Sequence, residues 1–222
     1  MAVLKTSSLQ VKAMSGELAR MLGGVLSLLL AGILAMAAAP AGQAPQLTPA
    51  ASDAAAAKFR RIEEAAVRRE SFGSIRVTQT EINSYVHFGL EPVFPPGISK
   101  IMFDLQPGRT HGTAEVDFDK LKGSFKTPPN PLVALFLHGV HTIGGEGTLA
   151  AQNGLGEFHL ETVTLDGITL PDAVVEYLIE HYLRAHFPDA ALDRPFPLGF
   201  SIDKLIVESG SVLLVSRPAA SK

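Results

Sequence analysis

The 222-residue chain contains no cysteine. It therefore has neither a disulfide framework nor a cysteine that could carry a lipid, so its stability must come from packing. An excess of basic residues is also lacking, since 19 Lys and Arg stand against 22 Asp and Glu. Binding to nucleic acid or to anionic membrane surfaces through charge needs clustered cations, so we predict neither.

Motifs of the common enzyme classes are missing too: there is no G-x-S-x-G, H-E-x-x-H or phosphate-binding loop. Four weaker patterns have structural explanations. They are Asp117-x-Asp119 on the wet face of a strand, His138 and His141 separated by Gly139, His181 and His186 on different helix faces, and Gly145-x-Gly147-x-x-Ala150 running into a turn. We predict no enzyme, metal or cofactor; the remaining alternative is a hydrolase whose carboxylates converge from distant segments.

The first 39 residues have the pattern of an export signal. Lys5, Lys12 and Arg20 precede the apolar run 21–39, and Ala-x-Ala cleavage patterns follow at its end. The alternative is an uncleaved membrane anchor, because the run is about as long as the ~20 residues that cross a bilayer. Either way the rest of the chain is exported, to the periplasm or cell envelope.

The remainder is predicted to form a linker and one α+β domain. Residues 40–57 are rich in Ala and Pro, lack periodic apolar residues and are expected to be a linker without fixed structure. The domain then spans 58–217. A helix with a thin apolar stripe, expected to pack weakly, runs from Ser52 or Asp53 to about Arg69.

A second helix and a hairpin follow. Thr78 and Glu81 have the capping-box spacing, in which each side chain binds a free backbone N–H of the other. Residues 98–106 and 113–119 alternate apolar and polar side chains on either side of a Pro-Gly turn. This alternation predicts an antiparallel pair with one buried face.

Asn153-Gly154 marks the turn of another hairpin, because both residue types adopt the positive φ angles of a tight turn. In its return strand, 157–165, the alternation slips by one residue. We expect a bulge near Glu161 or Thr162, which would bend the sheet.

The strongest amphipathic helix is predicted at 172–186, with Pro171 at or near its first position. Its apolar stripe consists of Val174, Val175, Leu178, Ile179, Tyr182 and Leu183. We expect the bent antiparallel sheet to wrap around this C-terminal helix and the core to form there. The chain ends in a hairpin, 201–216, whose runs of consecutive apolar residues make both faces apolar, so that something must cover each face.

The stretch "NPLVALFLHG" (130–139) predicts a two-turn helix that is apolar all round. Either the fold encloses it completely, or it lines a groove for a hydrophobic ligand together with the terminal hairpin. The residues predicted to line that groove are Leu132, Leu135, Phe136, Val174, Leu178, Tyr182 and Leu213.

The order of these elements resembles the LmeA-like group of bacterial envelope proteins, which are similar to tubular lipid-binding (TULIP) domains. The resemblance rests on "TQTEINSYV", "GTAEVDFDKL" and "EFHLETVTLDGITLP", and spans about residues 71–216. It implies a long curved sheet around a helix, with phospholipid or another hydrophobic molecule inside, and no catalytic residues.

We therefore predict an exported protein that binds or carries a hydrophobic small molecule or phospholipid, with transient membrane contact and no nucleic acid partner. The alternative is a structural or assembly factor that binds a protein by strand addition to the terminal hairpin. This alternative requires that the backbone N–H and C=O groups along one edge of residues 212–215 are not paired with another strand of the protein.

Overall fold

The computed structural model describes residues 46–121, 138–180 and 195–218. The export segment, most of the 130–139 stretch and residues 181–186 of the long helix lie outside the described residues. The described part is an α+β fold with an open antiparallel sheet. Its elements are α1 (Pro49–Arg68), β1 (Ser74–Thr78), α2 (Gln79–Tyr85), a π-helical turn (Val86–Leu90), a 3-10 turn (Glu91–Val93), β2 (Ile98–Gln106), β3 (Arg109–Asp117), α3 (Phe118–Leu121), β4 (Val140–Gln152), β5 (Leu155–Leu165), β6 (Ile168–Thr169), α4 (Asp172–Leu178), β7 (Phe196–Pro197), β8 (Ile202–Glu208) and β9 (Ser211–Ser216).

Helix α1 begins earlier than the sequence suggested. Thr48 is its N-cap, and the Thr48 hydroxyl accepts a hydrogen bond from the Ala51 N–H at 3.1 Å. The prediction of an unstructured linker is therefore wrong for residues 49–57, because this Ala-rich run follows a good cap and Ala has the highest helix propensity. The buried side of α1 consists of Ser52, Ala55, Ile62 and Ala65, whereas Val67 of the predicted stripe is 76% exposed.

Helix α2 starts at the predicted capping box, which is confirmed. The Glu81 N–H donates to the Thr78 hydroxyl at 3.2 Å, and the Thr78 N–H donates to the Glu81 carboxylate at 2.7 Å. Glu81 also binds the Lys58 ammonium of α1 at 2.6 Å. The two N-terminal helices are thus joined by a partly buried ion pair.

The strand order is β1-β9-β8-β4-β3-β2. Strand β5 also pairs with β4, and the short strands β6 and β7 pair with β5. Both predicted hairpins are confirmed: β2 pairs with β3 and β4 with β5, each antiparallel. At the β4–β5 turn, Asn153 and Gly154 have φ angles of 56° and 75°. The β3 strand ends at Asp117, two residues before expected, because α3 begins at Phe118. Asp119 therefore lies in a helix and not on the wet face of a strand, yet Phe118 is buried as predicted.

The bulge in β5 is confirmed. Glu146 pairs with Thr162, but the next residue, Gly147, pairs with Leu160, so that Glu161 has no partner on β4. Val163, after the bulge, is buried as the phase shift required. A bulge of this kind bends its strand and increases the local twist of the sheet.

The outer edge of β2 is closed by two side chains of α2. The Asn83 amide donates to the Phe103 carbonyl at 2.8 Å and its oxygen accepts the Phe103 N–H at 2.7 Å, both in a fully buried position. Gln79 accepts the Leu105 N–H at 2.7 Å. These side chains take the place of a neighbouring strand and leave less of the edge free for pairing with another chain.

Helix α4 contributes less to the described core than predicted. Pro171 is its N-cap, Leu178 is buried, and Val174 and Val175 are half-buried. The helices that cover the apolar face of the sheet in the described residues are α1 and α2. The wrapping of the sheet around residues 172–186 therefore stays a prediction.

The terminal hairpin of β8 and β9 is confirmed. Strand β9, however, lies between β8 and β1, and residues 74–78 of β1 pair with residues 211–215 along its whole length. The edge that a strand-adding partner would need is already occupied. The sequence did not reveal this pairing because β1 precedes β9 by more than 130 residues.

A candidate ligand cavity between the helices and the sheet

A cavity of about 160 Å³ lies between the N-terminal helices and the sheet. Side chains from α1, α2, the π-helical turn and seven strands converge on it. The lining residues are Phe59, Ile62, Glu63, Val77, Ile82, Tyr85, Val86, Leu90, Leu105, Thr110, Leu149, Phe158, Leu198, Phe200, Ile202, Leu205, Val207, Val212 and Leu214. Almost all of them are apolar, so the cavity suits a hydrophobic molecule.

Strand alternation explains how the sheet contributes to this lining. Val77, Val207 and Val212 are aligned across β1, β8 and β9, and all three side chains point into the cavity. Leu213, one residue further along β9, belongs to the opposite face, because successive side chains of a strand alternate. The hairpin is thus apolar on both faces, and one face lines the cavity.

Helix α1 contributes Phe59, Ile62 and Glu63. Ile62 and Glu63 follow Phe59 by about one helical turn, so the three side chains share a face. The Phe59 ring contacts the Tyr85 ring of α2 edge to face, with centroids 5.1 Å apart and an interplanar angle of 60°. Both rings are only partly buried. They belong to the part of the lining that solvent reaches, together with the half-buried Glu63.

The cavity has few polar groups: the Glu63 carboxylate, the Tyr85 hydroxyl and the Thr110 hydroxyl. Burial raises the pKa of the Tyr85 phenol, and the nearby negative charge of Glu63 raises it further. Tyr85 is therefore neutral at physiological pH and available as a hydrogen-bond donor. Among the described residues that line this cavity there is no Lys, Arg or His.

The residues predicted to line the ligand groove lie elsewhere or are not described. Val174, Leu178 and Leu213 lie within the described residues, but none of them lines this cavity. The predicted ligand groove is therefore not this cavity. Leu132, Leu135, Phe136 and Tyr182 lie outside the described residues. An apolar cavity exists at a different place from the predicted groove, and its lining comes from elements that the sequence gave little reason to combine.

The size of the cavity limits its occupant. It is smaller than the roughly 300–1,000 Å³ of pockets for drug-sized ligands. It is close to the roughly 150 Å³ of an engineered apolar cavity that stays free of water and binds benzene. A short alkyl chain or one aromatic ring therefore fits, whereas a whole phospholipid does not.

His141 is held by two acceptors at the surface. Its Nδ1 lies 2.6 Å from the Asp166 carboxylate and its Nε2 lies 2.8 Å from the His138 carbonyl. The Asp166 hydrogen bond and the His138 carbonyl raise the pKa of this imidazole against the opposing effect of partial burial. The Nδ1 contact thus joins β4 to the β5–β6 turn, and the Nε2 contact binds the backbone just before β4.

Asp117 is likewise paired, with the Lys120 ammonium at 2.9 Å. Among residues 46–121, 138–180 and 195–218, no cluster of three or more His, Asp or Glu side chains is arranged to hold a metal ion. The same ranges contain no helix that is long and apolar enough to span a membrane.

Comparisons with other proteins add no family assignment: the chain matches no protein-family model, no curated protein and no solved structure. The resemblance to LmeA-like proteins therefore stays an expectation from the sequence. What can be argued about function comes from the cavity itself.

Proposed function

We propose that this protein binds or carries a hydrophobic molecule in the cavity between α1, α2 and the sheet. The observation that supports the proposal is a largely apolar lining, in which nineteen described residues include one charged residue, Glu63. A well-packed interior rarely leaves a void larger than a water molecule. An empty cavity of about 160 Å³ costs stability that an apolar guest would restore.

The expected affinity is modest. Each buried methylene contributes about 0.8 kcal/mol, so an eight-carbon chain gains at most about 6 kcal/mol from burial. This corresponds to a dissociation constant of about 40 μM or weaker. Such an affinity suits a carrier, which must also release its ligand.

For a phospholipid, the proposal is that one acyl segment enters while the head group and second chain remain outside. The proposed setting is the periplasm or cell envelope, with transient contact to a membrane from which the chain is taken. Residues 172–186 are proposed to form a further wall against which the bent sheet closes. We propose no catalytic role.

The strand-addition alternative loses its main support. It placed the protein partner on residues 212–215, where β1 already pairs with β9. A partner could bind there only after displacing β1, whose Ile75 and Val77 are buried.

The proposal is tested by purifying the full chain without detergent and extracting it with organic solvent. Mass spectrometry of the extract should show an apolar compound in near-stoichiometric amount, and addition of octan-1-ol to the extracted, refolded protein should give saturable binding by calorimetry. A folded protein that yields no compound and binds no octan-1-ol would contradict the proposal.

A further inference from the structure

Glu63 is the one charged residue among the described residues that line the cavity. Within the described residues its carboxylate has no hydrogen bond and no ion pair. Four other half-buried carboxylates are paired: Glu81 with Lys58, Glu91 with His87, Glu115 with Lys100, and Glu146 with Arg109. An uncompensated carboxylate beside apolar surface is costly, which suggests a role in the site rather than in folding.

The neighbouring cations do not neutralise Glu63. Lys58, on the same helix, is held by Glu81 and by the Arg76 carbonyl at 2.8 Å. Arg60 and Arg61 are exposed and do not line the cavity. The charge of Glu63 does reach the Tyr85 hydroxyl, where it opposes formation of the phenolate. A negative potential therefore surrounds the polar part of the lining.

We propose that Glu63 makes the cavity selective for apolar ligands whose polar end is neutral or cationic, and that it rejects fatty acids and other anionic amphiphiles. The inference rests on the proposed function and adds the class of ligand. An alcohol can donate a hydrogen bond to the Glu63 carboxylate and accept one from the Tyr85 hydroxyl. An anionic head group at the same place would face a like charge in a partly desolvated site, with no cation among the described lining residues to compensate.

The test compares three probes that share an eight-carbon chain: octan-1-ol, octylamine and octanoate. Calorimetry with the full chain near neutral pH should give a dissociation constant for octanoate at least about tenfold higher than for octan-1-ol. Octylamine should bind at least as tightly as octan-1-ol. In Glu63→Gln, octanoate and octan-1-ol should differ by less than about threefold.

Glu64→Gln is the matched control. Glu64 is the next residue of α1, lies 3.6 Å from the Arg68 guanidinium and does not line the cavity. The same chemical change there should preserve the discrimination against octanoate. Raising the salt concentration offers a check that needs no variant: it should weaken the discrimination in the unmodified protein, because salt screens partly exposed charges.

The two proposals fail in different ways. If octan-1-ol binds but octanoate binds equally well, or if Glu63→Gln leaves their ratio unchanged, the assignment to Glu63 is wrong and the cavity remains a ligand site. If none of the three probes binds, the proposed function itself is wrong and the inference falls with it.

Discussion

Val212→Phe should abolish the binding of octan-1-ol while the protein remains folded. The Val212 side chain lines the cavity between Val77 of β1 and Val207 of β8. A cavity of about 160 Å³ can accept a benzene ring, so the added phenyl group fills the space that the ligand would use. We expect the dissociation constant of octan-1-ol to rise more than about a hundredfold. Calorimetry measures it.

The stability of Val212→Phe should change little, because the larger side chain enters an existing void rather than a packed core. Leu213→Phe is its matched control. Leu213 is adjacent in β9 but belongs to the opposite face of the sheet, so this variant should bind octan-1-ol as the unmodified protein does. If Leu213→Phe loses binding and Val212→Phe keeps it, the ligand occupies the other face, as the sequence alone suggested.

Asn83→Ala should lower the free energy of unfolding by about 2–6 kcal/mol. Asn83 is fully buried and makes two hydrogen bonds to the Phe103 backbone. Its loss leaves a buried N–H and a buried C=O without partners, and each costs about 1–3 kcal/mol. For a domain of this size the melting temperature falls by roughly 2–4 °C per kcal/mol. Thermal and urea unfolding followed by circular dichroism measure the effect.

Ser84→Ala serves as the control for Asn83→Ala. Ser84 is the next residue and is equally buried, but its hydroxyl accepts one hydrogen bond, from the Thr48 N–H at 3.2 Å. Its loss should cost about 1 kcal/mol. Equal effects of the two substitutions would show that Asn83 does not close the β2 edge in solution.

The parts of the fold that the sequence predicted correctly depend on short-range sequence patterns. The Thr78–Glu81 capping box, the Asn153-Gly154 turn and the bulge at Glu161 each depend on residues close together in the chain. These features depend on the backbone angles that particular residue types prefer and on the alternation of apolar and polar side chains. Both can be inferred from a short stretch of sequence.

The parts that sequence reasoning missed depend on distant segments. The pairing of β1 with β9 joins residues such as Ile75 and Leu214, and nothing near either strand specifies the other. Amphipathicity alone could not show which helix covers the sheet. Helix α1 has a thinner apolar stripe than the helix predicted at 172–186, yet α1 lines the cavity.

The candidate site was missed for the same reason. Sequence reasoning chose dense apolar runs, whereas the cavity is lined by one or two residues from each of many elements, such as Phe59, Val77 and Leu149. Each of these reads as an ordinary core position. Only the arrangement of the elements shows that they leave a space.

The most direct test of the account is an NMR measurement of intermolecular nuclear Overhauser effects between octan-1-ol and the methyl groups of the full chain. The account predicts contacts from the alkyl protons to the methyl groups of Val77, Leu149 and Val212, and none to Leu213. Contacts to Leu213 without contacts to those three side chains, or no contacts at all from a folded protein, would contradict it.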